Sequence, residues 1–285
     1  MGTPLSTVAN VDGAVATYHS RPMPDRPWKL GYNTLTWVET RDPDLERVFA
    51  TMRDAGWEGI ELLDNDANWS GPPSRVRGML ERVGLPVVAI LGGVQIDDAR
   101  RVRQLELQKR LIDFGAELGC EAYVFLGGDR VFRRLTSDDD LRRLADVANE
   151  LVEYAEPLGM TVNHHSHPRC TVEREEEQDR LLAFADPRLR VCLDIGISAF
   201  MDEDYRAQVD KYAGRTGYVH LKDWAHGKYC VLGEGTKGID WTDVLAGLTA
   251  TGYDGWVTTE LSWYGDTDAD LSCHANRAYL RSLGY

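Results

Sequence analysis

The 285-residue chain is short of cysteine pairs, of net positive charge and of long apolar runs. Its five cysteines, Cys120, Cys170, Cys192, Cys230 and Cys273, are odd in number, dispersed, and include no CxxC pair. That pattern excludes a disulfide framework and a structural zinc ribbon, and it fits a reducing, cytoplasmic setting. The 32 Lys and Arg are outnumbered by 46 Asp and Glu, giving a net charge of −14. Nucleic acids and anionic membranes call for a basic face, so neither is expected as a partner. No apolar run approaches the roughly 20 residues that a membrane-spanning helix needs. Residues 1–27 lack a basic start followed by an apolar block and are not read as a signal peptide. Their Ser, Thr, Pro and Gly content suggests a flexible arm, leaving 28–285 as one domain.

What is present is a globular composition, 43% hydrophobic and 27% charged, arranged as one unit that repeats with variation. Short β-branched or aliphatic runs at 29–37, 59–64, 86–93, 122–128, 161–167, 190–196, 217–223 and 256–262 read as strands. Amphipathic stretches with ordinary start and stop signals lie between them. "RDPDLERVFATMRDAG" offers Asp42 as a cap before Pro43 and closes at Gly56. "TSDDDLRRLADVANELVEYAEPLG" begins at Ser137 with acidic residues suited to a helix N-terminus and stops at Gly159. "IDWTDVLAGLTATG" offers Asp240 as a cap and Gly252 as a stop. Eight strands, each followed by a helix, predict a single α/β domain, a (β/α)8 TIM barrel. No G-x-G-x-x-G turn follows the first strand, which disfavours an open doubly wound sheet. The last stretch, "ADLSCHANRAYLRSLGY", predicts a final helix whose aromatic end would meet another subunit in a homo-oligomer.

In such a barrel the active site lies at the C-terminal ends of the strands. Four consecutive strands carry a metal-capable residue at or near that end: His165, Asp194, His220 and Glu260. A packed barrel interior should be Val, Ile and Leu, so four ionisable groups in series require a reason. One divalent cation supplies it, because nitrogen and oxygen ligands converging from neighbouring strands satisfy its charge.

The segments "VNHHSHPRCTVEREEE", "VCLDIG", "YVHLKDW", "GEGTKGIDW" and "GYDGWVTTEL" together resemble successive motifs of the xylose-isomerase-like sugar isomerase, epimerase and dehydratase superfamily. Within it the chain is most similar to the inosose (2-keto-myo-inositol) dehydratase branch, over roughly residues 29–264. The resemblance implies one divalent ion, Mn2+ first, with Mg2+, Co2+ or Zn2+ as alternatives. It also implies ligands from strands five to eight, here His165, Asp194, His220 and Glu260, and a small polyol or keto-sugar substrate. It further implies a substrate-binding or catalytic acid at the end of strand two, here Glu61. Two departures stand out. Strand five usually offers a glutamate and here offers His165, and strand six lacks the family's Asp-x-x-His, having Ile197 in the last position. Paired glutamates suit an epimerase that removes and returns a proton, whereas an elimination needs one base and one acid. The substitution therefore favours a lyase.

Strand alternation places Asn163, His165 and His167 on one face and His164 on the other. His165 is thus assigned to the metal and His167 to acid–base or substrate work. His164 is assigned to the packing between barrel and helices, and a one-residue shift in register would exchange it with His165. Lys222 shares the inward face with His220, and Asp223 beside it is taken as a substrate contact. Asn33 is expected to supply a hydroxyl-binding amide and Trp37 an apolar wall for a sugar ring. The expected chemistry is metal-assisted proton abstraction next to a carbonyl, with His167, Lys222 or Glu260 as base, followed by loss of the β-substituent. A sugar isomerase or epimerase using the same first half, and a non-catalytic sugar-binding barrel, are the alternatives.

Overall fold

Eight of the strands pair in parallel and close into a barrel: β1 (Lys29–Asn33), β2 (Gly59–Leu63), β3 (Val87–Gly93), β4 (Ala122–Leu126), β5 (Thr161–His165), β6 (Arg190–Asp194), β7 (Thr216–Leu221) and β8 (Trp256–Thr259). Each pairs with the next in sequence, and β8 returns to β1. This is the predicted (β/α)8 architecture. The computed structural model describes residues 26–37, 44–64, 70–96, 98–130, 135–261 and 268–285, together with the backbone of two short strands. Those two, Thr7–Ala9 and Val15–Thr17, pair antiparallel, and the rest of the expected N-terminal arm up to residue 25 lies outside the described residues.

The helices that cover the barrel are α1 (Leu45–Ala55), α2 (Pro73–Val83), α3 (Asp98–Leu118), α4 (Asp138–Ala155), α5 (Glu175–Phe184), α6 (Ile195–Phe200), α7 (Tyr205–Lys211), α8 (Trp241–Ala250) and α9 (Ala269–Ser282). The expected punctuation of α4 is present. Ser137 and Asp140 form a reciprocal capping box, three aspartates occupy the first turn, and Gly159 ends the following 3-10 turn with positive φ. Its buried Leu141, Leu144, Ala148, Leu151, Val152 and Ala155 recur at helical spacing and face the strands. Asp240 caps α8 as expected. At α1 the cap is Asp44, whose side chain accepts from the Arg47 amide, and not Asp42. A D-P-D run offers two caps, and the helix takes the later one; Asp42 and Pro43 lie outside the described residues.

Two apolar layers result. The larger lies between strands and helices and includes Tyr32, Phe49, Ile60, Phe125, Leu144 and Val219. The smaller fills the barrel itself with Leu63, Val88, Ala89, Leu91, Val124, Cys192, Tyr218 and Trp256. Trp256 opens β8 and plugs the N-terminal end of the barrel. Gly59 makes room for it: a Cβ there would stand 2.7 Å from both the indole and Val88. The hydrophobic filling thus occupies the lower barrel and leaves the C-terminal layer to polar side chains.

The strands are shorter than the sequence suggests. Thr34–Trp37 turns into a 3-10 helix, His167 lies beyond the end of β5, and Glu260 follows β8. The aromatic chain end is not an open surface. Tyr285 is buried against Trp28, with ring centroids 5.2 Å apart, and its carbonyl accepts from Arg277.

Candidate metal and acid–base site

The polar layer is assembled by register. Asp194 pairs with His220 across β6 and β7, His165 pairs with Cys192 across β5 and β6, and Asn33 pairs with Glu61 across β1 and β2. Asp194 is both the last residue of β6 and the cap of α6, so its Oδ1 accepts the Ile197 amide at 2.8 Å. Oδ2 is left to face the barrel axis. Gly196 lets α6 start directly against the Lys222 backbone, because a Cβ there would lie 2.2 Å from the Lys222 carbonyl.

One donor atom from each of His165, Asp194, His220 and Glu260 lies within 4.8 Å of the others, and all four residues are buried. His165 Nε2 is 3.0 Å from Asp194 Oδ2. His220 Nδ1 is 3.0 Å from Glu260 Oε2 and 3.8 Å from Asp194 Oδ2. Lys222 Nζ reaches the same two carboxylates, 2.8 Å from Asp194 Oδ2 and 2.9 Å from Glu260 Oε1. Despite these distances, His220 Nδ1 and Glu260 Oε2 make no aligned hydrogen bond. Buried polar atoms brought together without bonding one another are costly unless a further group takes up their lone pairs. Two imidazoles and two carboxylates suit a divalent cation in that role. The residues present therefore fit a metal ion.

Charge is distributed to match. Burial works against ionised Asp194 and Glu260, yet Lys222 and the neighbouring histidines hold both below the usual carboxylate range. Burial likewise works against charged Lys222, and the carboxylates of Asp194 and Glu260 outweigh it, raising the ammonium well above its ordinary value. For His220, burial is opposed by Cys192, Glu61 and Glu260, and its value is raised. Burial and then the Lys222 charge lower His165, which is neutral and a ready ligand.

His167 stands at the mouth, its ring centroid 5.9 Å from that of His165. Its Nδ1 is 2.9 Å from the Pro168 carbonyl. A carbonyl only accepts, so Nδ1 carries the proton and Nε2 keeps its lone pair. Burial, then the charges of Lys222 and His165, push the imidazole down to about 4, so it is neutral at physiological pH. His164 points the other way. Its Nδ1 lies 2.7 Å from Gln178 Oε1 and its ring meets the Phe125 ring edge-on, between barrel and α5, as the alternation predicts.

The residues expected to face the substrate are engaged within the protein. Asn33 is fully buried and occupied at both ends, donating to Glu61 Oε2 at 2.7 Å and accepting from the Leu35 amide at 2.6 Å. Glu61, also fully buried, meets His220 Nε2 at 2.8 Å and so braces a histidine. Trp37 belongs to the outer apolar layer, packs edge-on against Tyr32 and donates to Asp270. Asp223 accepts from the Trp224 and Gly233 amides and from the Trp241 indole, which makes it the anchor of the loop after β7.

That loop contains residues that sequence reasoning missed. Asp223–Ala225 and Lys228–Cys230 form a hairpin turned by His226 and Gly227, both with positive φ. A His-Gly pair between two aromatic-containing triplets was the available signal. The hairpin stacks Trp224 between Phe200 and Tyr229, at 4.2 and 3.9 Å, and brings the Tyr229 ring to 5.8 Å from Lys222 Nζ. Cys192, read only as a dispersed thiol, lies under the site, and burial pushes it up to about 11.

The profile of a protein family described as a xylose isomerase-like TIM barrel matches residues 49–283. The inosose dehydratase of Geobacillus kaustophilus is 26% identical to this chain, with 82% of this chain and 87% of the relative covered. That of Clostridium beijerinckii is 29% identical, covering 81% and 89%. Among solved structures, an L-ribulose 3-epimerase superposes with a TM-score of 0.75 at 22% identity, over 89% of this chain and 93% of its own.

Proposed function

Because the chain belongs to the xylose isomerase-like TIM barrel family, we propose that it is a divalent-metal-dependent dehydratase of a cyclic keto-polyol of the inosose class. His165, Asp194, His220 and Glu260 hold the ion, with Mn2+ as the first choice for two nitrogen and two oxygen donors. An ion bound there would supply Lewis-acid polarisation of the substrate carbonyl. His167, with its Nε2 lone pair free, removes the proton from the carbon next to the carbonyl. The Lys222 ammonium, kept charged by Asp194 and Glu260, gives a proton to the departing β-hydroxyl, which leaves as water. The enol that remains shifts its double bond, taking a proton at the carbon that lost the hydroxyl, and becomes a 1,2-diketone. The scattered, unpaired cysteines are in keeping with a cytoplasmic enzyme.

The observation that carries this reading is an unequal set of groups, a neutral imidazole pinned by Pro168 beyond the end of β5 and a buried, charged ammonium held by two carboxylates. An epimerase would use the same two groups from opposite sides, with Lys222 returning the proton to carbon. The test is to incubate Mn2+-loaded protein with 2-keto-myo-inositol and follow the near-ultraviolet absorbance of the conjugated product. Absorbance that requires the ion and is lost in His167→Asn supports the proposal. Unchanged absorbance over an intact keto-polyol overturns it.

A further inference from the structure

We propose that Cys192, together with His165 and His220, forms a second metal-binding mode one layer deeper in the barrel, which takes a soft divalent ion of the Zn2+ type in place of the ion held by the carboxylates. One ligand atom from each of these three residues lies within 4.8 Å of the other two. The grouping follows from register. Cys192 is the strand partner of His165 and sits two residues before Asp194 on the same inward face of β6, hence one layer below it. His220 is the partner of Asp194, and Tyr218 of Cys192. The two imidazoles therefore border both layers, the carboxylates above and the sulfur below. His165 Nδ1 is buried without any partner, so this ring has a donor atom in reserve while Nε2 faces Asp194.

Donor atoms around a tetrahedral ion with ligand distances of about 2.0–2.3 Å lie roughly 3.3–3.8 Å apart. The three residues need to close in by at most about an ångström. The donor chemistry then sorts the ions. Two imidazoles and a thiolate favour Zn2+ or Co2+, whereas two imidazoles and two carboxylates suit Mn2+ or Mg2+. The thiol proton passes to solvent as the ion binds. The modes exclude each other because they share both histidines. An ion in the deeper one leaves Asp194 and Glu260 with Lys222 alone and stands away from the mouth, so Zn2+ inhibits whatever reaction the upper ion supports.

This inference does not depend on which reaction that is, and its test is spectroscopic. Chelator-stripped protein is titrated with Co2+, which reports a thiolate ligand through a near-ultraviolet sulfur-to-metal charge-transfer band and any bound ion through its visible bands. The wild-type chain is expected to show the charge-transfer band, Asp194→Asn to strengthen it by weakening the upper set, and Cys192→Ser to lose it while still binding Co2+. Zn2+ affinity should fall in Cys192→Ser by more than about tenfold, the least seen when even an outer partner of a ligand is removed. Mn2+ affinity should be unchanged. Visible Co2+ bands without a thiolate band in the wild-type chain would overturn the deeper mode and leave the proposed function standing. Absence of any Co2+ binding would contradict both. The wild-type spectrum decides even if a variant fails to fold, and Cys192→Ala repeats the control with a residue that cannot ligate.

Discussion

Glu61 Oε2 stands 2.8 Å from His220 Nε2, and the same oxygen accepts the Asn33 amide at 2.7 Å. The chain Asn33–Glu61–His220 crosses the barrel from β1 through β2 to β7. It fixes the orientation of the imidazole, so that Nδ1 faces Asp194 and Glu260. An outer carboxylate of this kind orients a ligating histidine and raises its basicity. Glu61→Gln should therefore weaken Mn2+ binding on the order of 10- to 100-fold. Isothermal titration of the stripped protein measures this. Unchanged affinity with a raised KM would return Glu61 to the role of substrate contact.

Lys222 is a resident cation between two buried carboxylates, with no exposed side-chain surface. Removing one partner of a buried ion pair costs roughly 3–5 kcal/mol, because charge is left uncompensated. Lys222→Met should lower the Tm of the stripped protein, and Mn2+ should restore much of it, since an ion that binds only the folded chain stabilises it. Metal affinity should not fall, while turnover should drop by about 10²–10⁴ as expected for loss of a general acid. A variant as stable without metal as the wild type would show that the pair carries no such charge.

His164 gives a dependence of stability on pH. Burial, opposed by the Gln178 hydrogen bond, pushes it from 6.5 down to about 4. The unfolded chain takes up the proton first as pH falls, so the stabilisation is complete above about 6.5 and is lost on the way down to about 4. The span corresponds to about 3 kcal/mol. His164→Gln should remove this component. Urea unfolding at neutral pH and near pH 4.5 should show a smaller difference in the variant than in the wild type; equal differences would refute the assignment.

Asp223 is a structural carboxylate, and its loss should be felt by the fold. Asp223→Ala leaves the Trp224 amide and the Trp241 indole without their acceptor. Each buried donor so orphaned costs about 1–3 kcal/mol. A fall in Tm, with metal affinity kept, is the expected outcome. Normal stability with a raised KM would restore the reading of Asp223 as a substrate contact.

The barrel was legible in the sequence because short β-branched or aliphatic runs alternate with amphipathic helical stretches, and Ser137 and Asp240 cap helices where expected. The four donors were legible because charge inside a barrel layer is costly, so their presence on four neighbouring strands was informative. The separation of His164 from His165 followed from strand alternation, which holds strictly while the ladder holds. Alternation cannot decide where an inward side chain ends. Asn33 and Glu61 face inward as expected, yet Asn33 is held at both ends and one oxygen of Glu61 is shared by Asn33 and His220. Trp37 escaped the pattern because β1 ends at Asn33 and a 3-10 turn rotates the residues after it. Asp223 lies where β7 gives way to a hairpin, so its direction depends on a turn at His226 and Gly227. The reach of Tyr229 to Lys222 depends on the same turn.

The most direct test of the central claim, a proton taken from carbon followed by loss of water, is proton NMR in D2O. Mn2+-loaded protein is incubated with 2-keto-myo-inositol and the ion removed by chelator before the spectrum is taken. The account predicts a 1,2-diketone in which the carbon that lost its hydroxyl has gained one deuterium. An isomeric keto-polyol, deuterated next to its carbonyl and with every hydroxyl retained, would contradict the elimination and make this chain an epimerase.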